Sequence, residues 1–362
     1  MVIFCEEQVE ARCKHFGCCG GCNQQTISYD NQLERKQQLI NELFPDHPVE
    51  PIIGCENEWQ WRNKMEFSFS QDKSGQRFLG LMMRGKRGRV VTLDECHIVN
   101  PWFIEVLTQV YDWWEKSGLN AYFPPQDRGE LRTLMLREGI NTGQKMAVLT
   151  VANNAQIPHL PLELDSVILR RQITQKKVPT RFEEEVIFGN PYIEEKLGKY
   201  RFRLYPSTFF QPNTLQAERL YSHIADLIEG KTLLDLYCGT GSIGIFCSSL
   251  VEKVIGIELV PGAEENVKLN GIGNMEVRVG DVERETLPEA DCVIVDPPRA
   301  GLGPRMIEKL RGFKKIIYVS CNPKSQARDI EALDSHKVIF LQPIDQFPQT
   351  AHIENIALLQ RI

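Results

Sequence analysis

Three groups of residues have the types and spacing to do chemistry. The first is Cys321, at the end of the apolar run Ile317 to Pro323, IYVSCNP. Asn322-Pro323 cannot continue a central strand, so the thiol sits at a strand's carboxyl end, where open α/β sheets bind ligands. A thiol there is either a small core residue or a nucleophile, and position alone leaves both open. The second is Leu233 to Cys247, LLDLYCGTGSIGIFC: an apolar strand, a glycine-rich turn and an apolar helix. Glycines there allow close backbone approach to a nucleotide, and the next strand, KVIGIE, ends about twenty residues on at Glu258, a carboxylate able to accept ribose hydroxyls. The third is CKHFGCCGGCNQQ, Cys13 to Gln25, in which glycines let several thiolates converge. Cys13, Cys19 and Cys22 make a C-x5-C-x2-C pattern, and Cys96, in LDECHIVNP, is the candidate fourth ligand. Zinc and an iron–sulfur cluster both accept such a set.

Gly239, Gly241 and Gly244 also satisfy G-x-G-x-x-G, a pattern that does not separate NAD from S-adenosylmethionine. The strand CVIVDPPR, Cys292 to Arg299, favours methyl transfer, its prolines stiffening a loop beside the methyl donor. Amino methyltransferases with a related loop follow the prolines with an aromatic residue that stacks on the base. Here that position is Arg299, which argues against amino-group methylation and for nucleophilic catalysis by the thiol one strand later.

The elements that must hold these groups are legible in the pattern of apolar residues. Tyr29 to Phe44 reads as an amphipathic helix and Pro101 to Gly118 as another. Strands are expected at Met65 to Ser70, Arg77 to Arg84, Leu131 to Arg137, Lys145 to Val151 and Ser166 to Arg171. A helix over Thr214 to Ile228 precedes the nucleotide-binding unit. Three units follow from this: 1–58 with the cysteines, an antiparallel-β unit over 59–198 tied to it through Cys96, and a catalytic α/β unit over 199–362.

With 362 residues, 42% hydrophobic and 25% charged, the composition is that of an ordinary globular protein. No run approaches the roughly 18 apolar residues of a membrane span, and Met1 to Glu10 has no signal-peptide pattern, so the expected compartment is the cytoplasm. There the 11 cysteines should be thiols or metal ligands. The net charge of −6 argues mildly against nucleic acid, but two acid-free stretches oppose it. One carries Arg77, Arg84, Lys86, Arg87 and Arg89; the other carries Arg170, Arg171, Lys176, Lys177 and Arg181. Together they could give one face an attraction for RNA. A non-enzymatic iron–sulfur RNA-binding protein and an NAD-dependent oxidoreductase are the competing readings.

FFQPN, DLYCGTGS, DPPR, SCNP and the terminal HIEN occur in the order found in the RNA 5-methyluridine methyltransferases, and the chain resembles that family over nearly its whole length. The cysteine pattern resembles the branch that holds a 4Fe-4S cluster and acts mainly on 23S ribosomal RNA. The resemblance implies a Rossmann-like S-adenosylmethionine methyltransferase domain preceded by an α+β central domain with the cluster segment at its N-terminus. It implies Cys321 as nucleophile, Glu354 in HIEN as base, and Gln211, Tyr237, Ser242, Glu258, Asp281 and Asp296 around the methyl donor. It implies Cys13, Cys19, Cys22 and Cys96 as cluster ligands, with Cys18 outside the set. RNA is the implied partner, ribosomal before transfer RNA, with no membrane and no obligate protein partner. Many relatives begin with a small OB-like RNA-binding domain, for which the twelve residues before Cys13 leave no room.

Overall fold

The computed structural model describes residues 7–86, 88–175 and 178–362; Arg87, Lys176 and Lys177 of the two basic stretches lie outside the described residues. After the cysteine loop comes helix α1 (Tyr29–Leu43). Strands β1 (Lys64–Gln71), β2 (Arg77–Met82) and β3 (Val90–Thr92) follow, then α2 (Trp102–Ser117), closed by Gly118 in the left-handed conformation. Next are β4 (Leu131–Glu138), β5 (Lys145–Ala152), β6 (Ser166–Gln175) and β7 (Val178–Gly189). These seven strands form one sheet in the order β3-β2-β1-β4-β5-β6-β7. It is not purely antiparallel: β5 and β6 run parallel, joined by the chain around Ala155 to Leu162, which packs into the core with α2.

β7 is a strand that the sequence pattern hides, because three glutamates, Glu183 to Glu185, interrupt its apolar residues. Two of them lie across from β6 arginines, Glu184 opposite Arg170 and Glu183 opposite Arg171, and the first of these pairs is an ion pair. Arg170 bonds Glu184 at 2.7 Å and lies over the Phe182 ring. Arg171 donates to the Ala155 carbonyl at 2.7 Å.

A small hairpin, β8 (Ile193–Leu197) and β9 (Tyr200–Leu204), leads into α3 (Thr214–Asp226). The second large sheet comprises β10 (Thr232–Leu236), β11 (Lys253–Glu258), β12 (Met275–Val279), β13 (Cys292–Val295), β14 (Lys315–Ser320), β15 (His336–Ile344) and β16 (Glu354–Arg361). Helices α4 (Ser242–Cys247), α5 (Ala263–Leu269), α6 (Pro304–Leu310) and α7 (Pro323–Ala332) connect them. The order is β12-β11-β10-β13-β14-β16-β15, with the first five strands parallel and β16 antiparallel to both neighbours. Parallel strands covered on both faces must be apolar on both, and β10, β13 and β14 are buried almost throughout.

One face of this sheet (Leu233, Val254, Ile294, Ile317) packs on α3 to α5 and continues into Met135, Met146, Val148 and Ile168 of the first sheet. The other face (Leu234, Ile257, Val295, Tyr318) packs on α6, α7 and α1, through Ile40 and Phe44. The N-terminal segment is therefore attached twice, to the turn after β2, where the Gly20 N–H donates to the Met82 carbonyl at 3.1 Å, and to the back of the second sheet through α1. Among the described residues no helix is long and apolar enough to cross a membrane.

Candidate active site

The five parallel strands end side by side, and the residue just beyond or at the end of four of them is one that the sequence singles out: Tyr237 after β10, Glu258 closing β11, Asp296 after β13 and Cys321 after β14. Asp281 stands two residues beyond β12. Strand polarity alone gathers these side chains at one edge. Tyr237 takes φ +59°, unusual for a non-glycine residue, and starts a turn completed by Gly239 at φ +56° and Gly241 at φ +76°. A β-carbon on Gly239 would meet nothing within 4 Å, so open space lies before the turn. Glu258 braces the turn from the next strand, its Oε2 accepting the Gly239 N–H at 3.0 Å and its Oε1 that of Val260 at 3.0 Å. Beside it Leu259 and Val260 expose apolar side chains, 65% and 62% accessible, a surface suited to a flat ring.

The first sheet holds the backbone at Gln211. Asn63, just before β1, donates from Nδ2 to the Gln211 carbonyl at 2.9 Å and to Thr214 Oγ1 at 2.9 Å. Arg137 of β4 donates to the carbonyls of Tyr205 and Thr208 at 3.0 and 2.6 Å. Sequence reading missed both braces, because an isolated Asn or Arg beside a strand gives no signal until the chain folds back. Ser242 opens α4, but its hydroxyl is buried against that of Tyr221, 2.9 Å away. Asp281 accepts the Glu283 N–H at 3.0 Å and pairs with exposed Arg284. Asp235 was also not singled out: it is wholly buried in β10, accepts the Gly244 N–H at 2.9 Å, and burial pushes its carboxyl up to about 7.

Cys321 and Glu354 are brought together by register. β14 and β16 are antiparallel with Ser320 opposite Asn355, so the next step places Cys321 beside Glu354. Gln326 of α7 fastens the two strands, donating to the carbonyls of Tyr318 and Asn355 at 2.9 and 3.2 Å and accepting from Asn355 Nδ2 at 2.7 Å. The SCNP turn grips the DPPR loop, since Asn322 Nδ2 and Ser325 Oγ both donate to the Arg299 carbonyl, at 2.8 and 3.2 Å.

Electrostatically the site is crowded with acids. Burial pushes the Cys321 thiol up to about 11, helped by the carboxylates of Glu354 and Asp296 and opposed by the Arg299 guanidinium. Burial likewise lifts Asp296 to about 7. It holds Glu354 well above the ordinary carboxylate range, with Asp296 adding to the effect. Glu354 Oε1 is buried with no hydrogen-bond partner among the described residues. An unpartnered buried carboxylate is costly for stability.

At the far side of the first sheet, Cys13, Cys19, Cys22 and Cys96 line one small cavity with Phe16, Leu81, Leu93 and Ile98. All four are free thiols; burial pushes Cys22 up to about 11 and Cys96 to about 12, and Cys13, Cys19 and Cys22 each raise Cys96 further. Cys18 is exposed and outside the cavity lining. Among the described residues no group of three or more His, Cys, Asp or Glu is gathered for a metal ion.

The model of the family described as tRNA (uracil-5-)-methyltransferase matches residues 162–286 and 278–362, more than half of the chain. The chain belongs to this family. An uncharacterized RNA methyltransferase of Protochlamydia amoebophila is 41% identical over 97% of this chain and 91% of its own length. One of Chlamydia trachomatis is 35% identical over 97% and 98%. A solved tRNA (uracil-54, C5)-methyltransferase of Pyrococcus abyssi, in complex with S-adenosyl-L-homocysteine, superposes with a TM-score of 0.80 at 29% identity, covering 94% of this chain and 86% of that one. The protein is thus an RNA methyltransferase with a Rossmann-like catalytic sheet, and the oxidoreductase reading falls.

Proposed function

We propose that this methyltransferase uses S-adenosylmethionine to methylate carbon 5 of a uridine in RNA, through a covalent bond from Cys321 to carbon 6. The carrying observation is the register of β14 and β16, which ends with Ser320 opposite Asn355, together with the Glu354 carboxylate that raises the Cys321 thiol just beyond it. Carbon 5 of uracil is too weak a nucleophile to be methylated directly, so the ring must first be activated by addition. When bound, S-adenosylmethionine supplies a methyl group made electrophilic by its sulfonium, and the P. abyssi relative's product complex supports that donor. Tyr237, Glu258, Asp281, Asp296 and Gln211 would surround it, with Ser242 behind the turn; the open space before Gly239 and the exposed Leu259 and Val260 fit such a ligand.

Cys321 Sγ, as thiolate once its proton has passed to water, forms the bond to carbon 6, and the carbon 5–carbon 6 electron pair then takes the methyl group at carbon 5 as the methyl–sulfonium bond breaks and its electrons stay on the sulfur. Glu354 removes the carbon 5 proton; the electrons left behind restore the double bond and expel the Cys321 thiolate. Arg299 favours the thiolate, and Asp296 would hydrogen-bond the uracil edge or orient the methyl donor. A stacked base is out of reach of this edge, so the uridine must be flipped out.

A 4Fe-4S cluster would be held by Cys13, Cys19, Cys22 and Cys96; the one cavity that the four thiols line supports this reading, although among the described residues they are not drawn together closely enough to form a metal site. Its role would be structural, joining the N-terminal loop to Cys96. We favour 23S ribosomal RNA as the substrate, from the cysteine pattern; the likeness to the P. abyssi enzyme supports transfer RNA as the second reading. RNA containing 5-fluorouridine, in which carbon 5 carries no removable proton, should trap a denaturant-stable adduct with the wild type and none with Cys321→Ala. No adduct with the wild type sinks the mechanism. Mapping 5-methyluridine in ribosomal and transfer RNA from cells with and without the gene decides the substrate.

A further inference from the structure

The proposed base has no hydrogen-bond partner at Oε1, so what aims it is its backbone, and the backbone enters Glu354 from the loop of residues 345–353 that joins β15 to β16. In the middle of that loop Gln349 is 2% exposed and held at φ +66°, a left-handed conformation that a non-glycine residue keeps only when its surroundings enforce it. The Gln349 carbonyl accepts the N–H groups of Asn23 and Gln24 at 3.0 and 3.1 Å. Its own N–H donates to Gln32 Oε1 at 3.0 Å, and its Oε1 accepts from Gln32 Nε2 at 3.1 Å. Its Nε2 donates to Glu58 Oε2 at 2.6 Å. Two residues closer to Glu354, the Ala351 N–H donates to Asn23 Oδ1 at 3.0 Å. Every one of these partners comes from the first 58 residues, and Asn23 follows Cys22 directly.

We propose that Gln349 is a positioning residue for Glu354, gripped by Asn23, Gln24 and Gln32, so that the cysteine-bearing segment holds the catalytic base in aim. This rests on the reading of Glu354 as the base. Cys321 directly follows β14, and its turn into α7 is fastened to the DPPR loop by Asn322 rather than by this loop. Loosening the loop therefore leaves the addition to carbon 6 and the methyl transfer intact while slowing proton removal, and the methylated RNA stays bound to Cys321.

The test uses the full-length protein and ordinary uridine RNA. Gln349→Gly keeps the left-handed backbone and deletes the side-chain bonds; Asn23→Ala deletes the bond to Ala351 and leaves Gln349 in place; Asn23→Asp restores an acceptor there. The expected result is a kcat lowered about tenfold or more in Gln349→Gly. KM for RNA should fall together with kcat, leaving kcat/KM within about twofold of the wild type, because the slowed step follows methyl transfer. A denaturant-stable methylated adduct should accumulate during turnover, less in Asn23→Ala, and return to wild-type level in Asn23→Asp. A folded Gln349→Gly, or, should it not fold, a folded Asn23→Ala, that turns over without extra adduct overturns the proposal. If the wild type traps nothing on 5-fluorouridine RNA, the reading of the chemistry fails; if it does and the variants behave as wild type, only this inference fails.

Discussion

Cys321, Glu354 and Asp296 compete for protons at one point, and their competition has a measurable sign. Each carboxylate raises the thiol, while Arg299 lowers it. Removing a negative neighbour must therefore ease thiolate formation, and removing the positive one must hinder it. In Glu354→Gln the pH limb for alkylation of the Cys321 peptide by iodoacetamide should move to lower pH; in Arg299→Met it should move to higher pH. A limb that stays put in both would mean that the three groups do not share a field. Glu354→Gln should also keep forming the covalent adduct while losing turnover, since it retains the nucleophile and lacks the base, and gel mobility under denaturing conditions checks this.

The elements that carry these residues are joined by polar contacts buried between them. Lys36 of α1 reaches Asp345 at the end of β15, with Nζ to Oδ1 2.6 Å, and both side chains are almost wholly buried. Tyr29 donates to the other oxygen at 2.9 Å. Removing one partner of such a pair strands a buried charge, so Lys36→Met should cost about 3 to 5 kcal/mol, read as a lowered midpoint in urea unfolding. Asn63 ties β1 to the FFQPN loop by two bonds. Asn63→Ala leaves the Gln211 carbonyl without that donor and should raise KM for S-adenosylmethionine, with a loss of binding of about 1 to 3 kcal/mol, measured by calorimetry.

For the whole molecule, the surface that meets RNA is decided by where charge stays free. Arg77 is consumed internally, donating to the carbonyls of Trp114 and Leu119 at 3.0 and 3.2 Å. Arg84, Lys86 and Arg89 remain exposed on the turn between β2 and β3. That turn lies against the cysteine loop, the Arg84 N–H donating to the Cys18 carbonyl at 2.8 Å and the Gly20 N–H to that of Met82 at 3.1 Å. Replacing Arg84, Lys86 and Arg89 by Glu should raise KM for RNA without changing kcat. It should also reduce the salt dependence of binding by about 0.7 in log–log slope for each lost contact to single-stranded phosphate. If the proposed cluster is held by Cys96, Cys96→Ser should remove iron and acid-labile sulfide from the purified protein and lower its melting temperature. An unchanged iron content would exclude Cys96 as a ligand.

The sequence by itself determined the strand ends, since period and composition are local properties: an apolar run cut by Asp-Pro-Pro or Cys-Asn-Pro must stop there. That is why Asp296, Cys321 and Glu258 could be named, and why α1, α2 and most strands of the first sheet lie within a few residues of their expected limits. β7 was hidden because its glutamates only make sense opposite Arg170 and Arg171, a pairing that local pattern does not carry. Which side chains meet was decided by tertiary structure. Cys321 and Glu354 are 33 residues apart and become neighbours only through the register of β14 and β16. Gln349 and Asn23 are separated by most of the chain and meet only because α1 packs on the back of the catalytic sheet. A spacing in sequence fixes what a residue can do; the packing of one sheet against another segment fixes what it does it to.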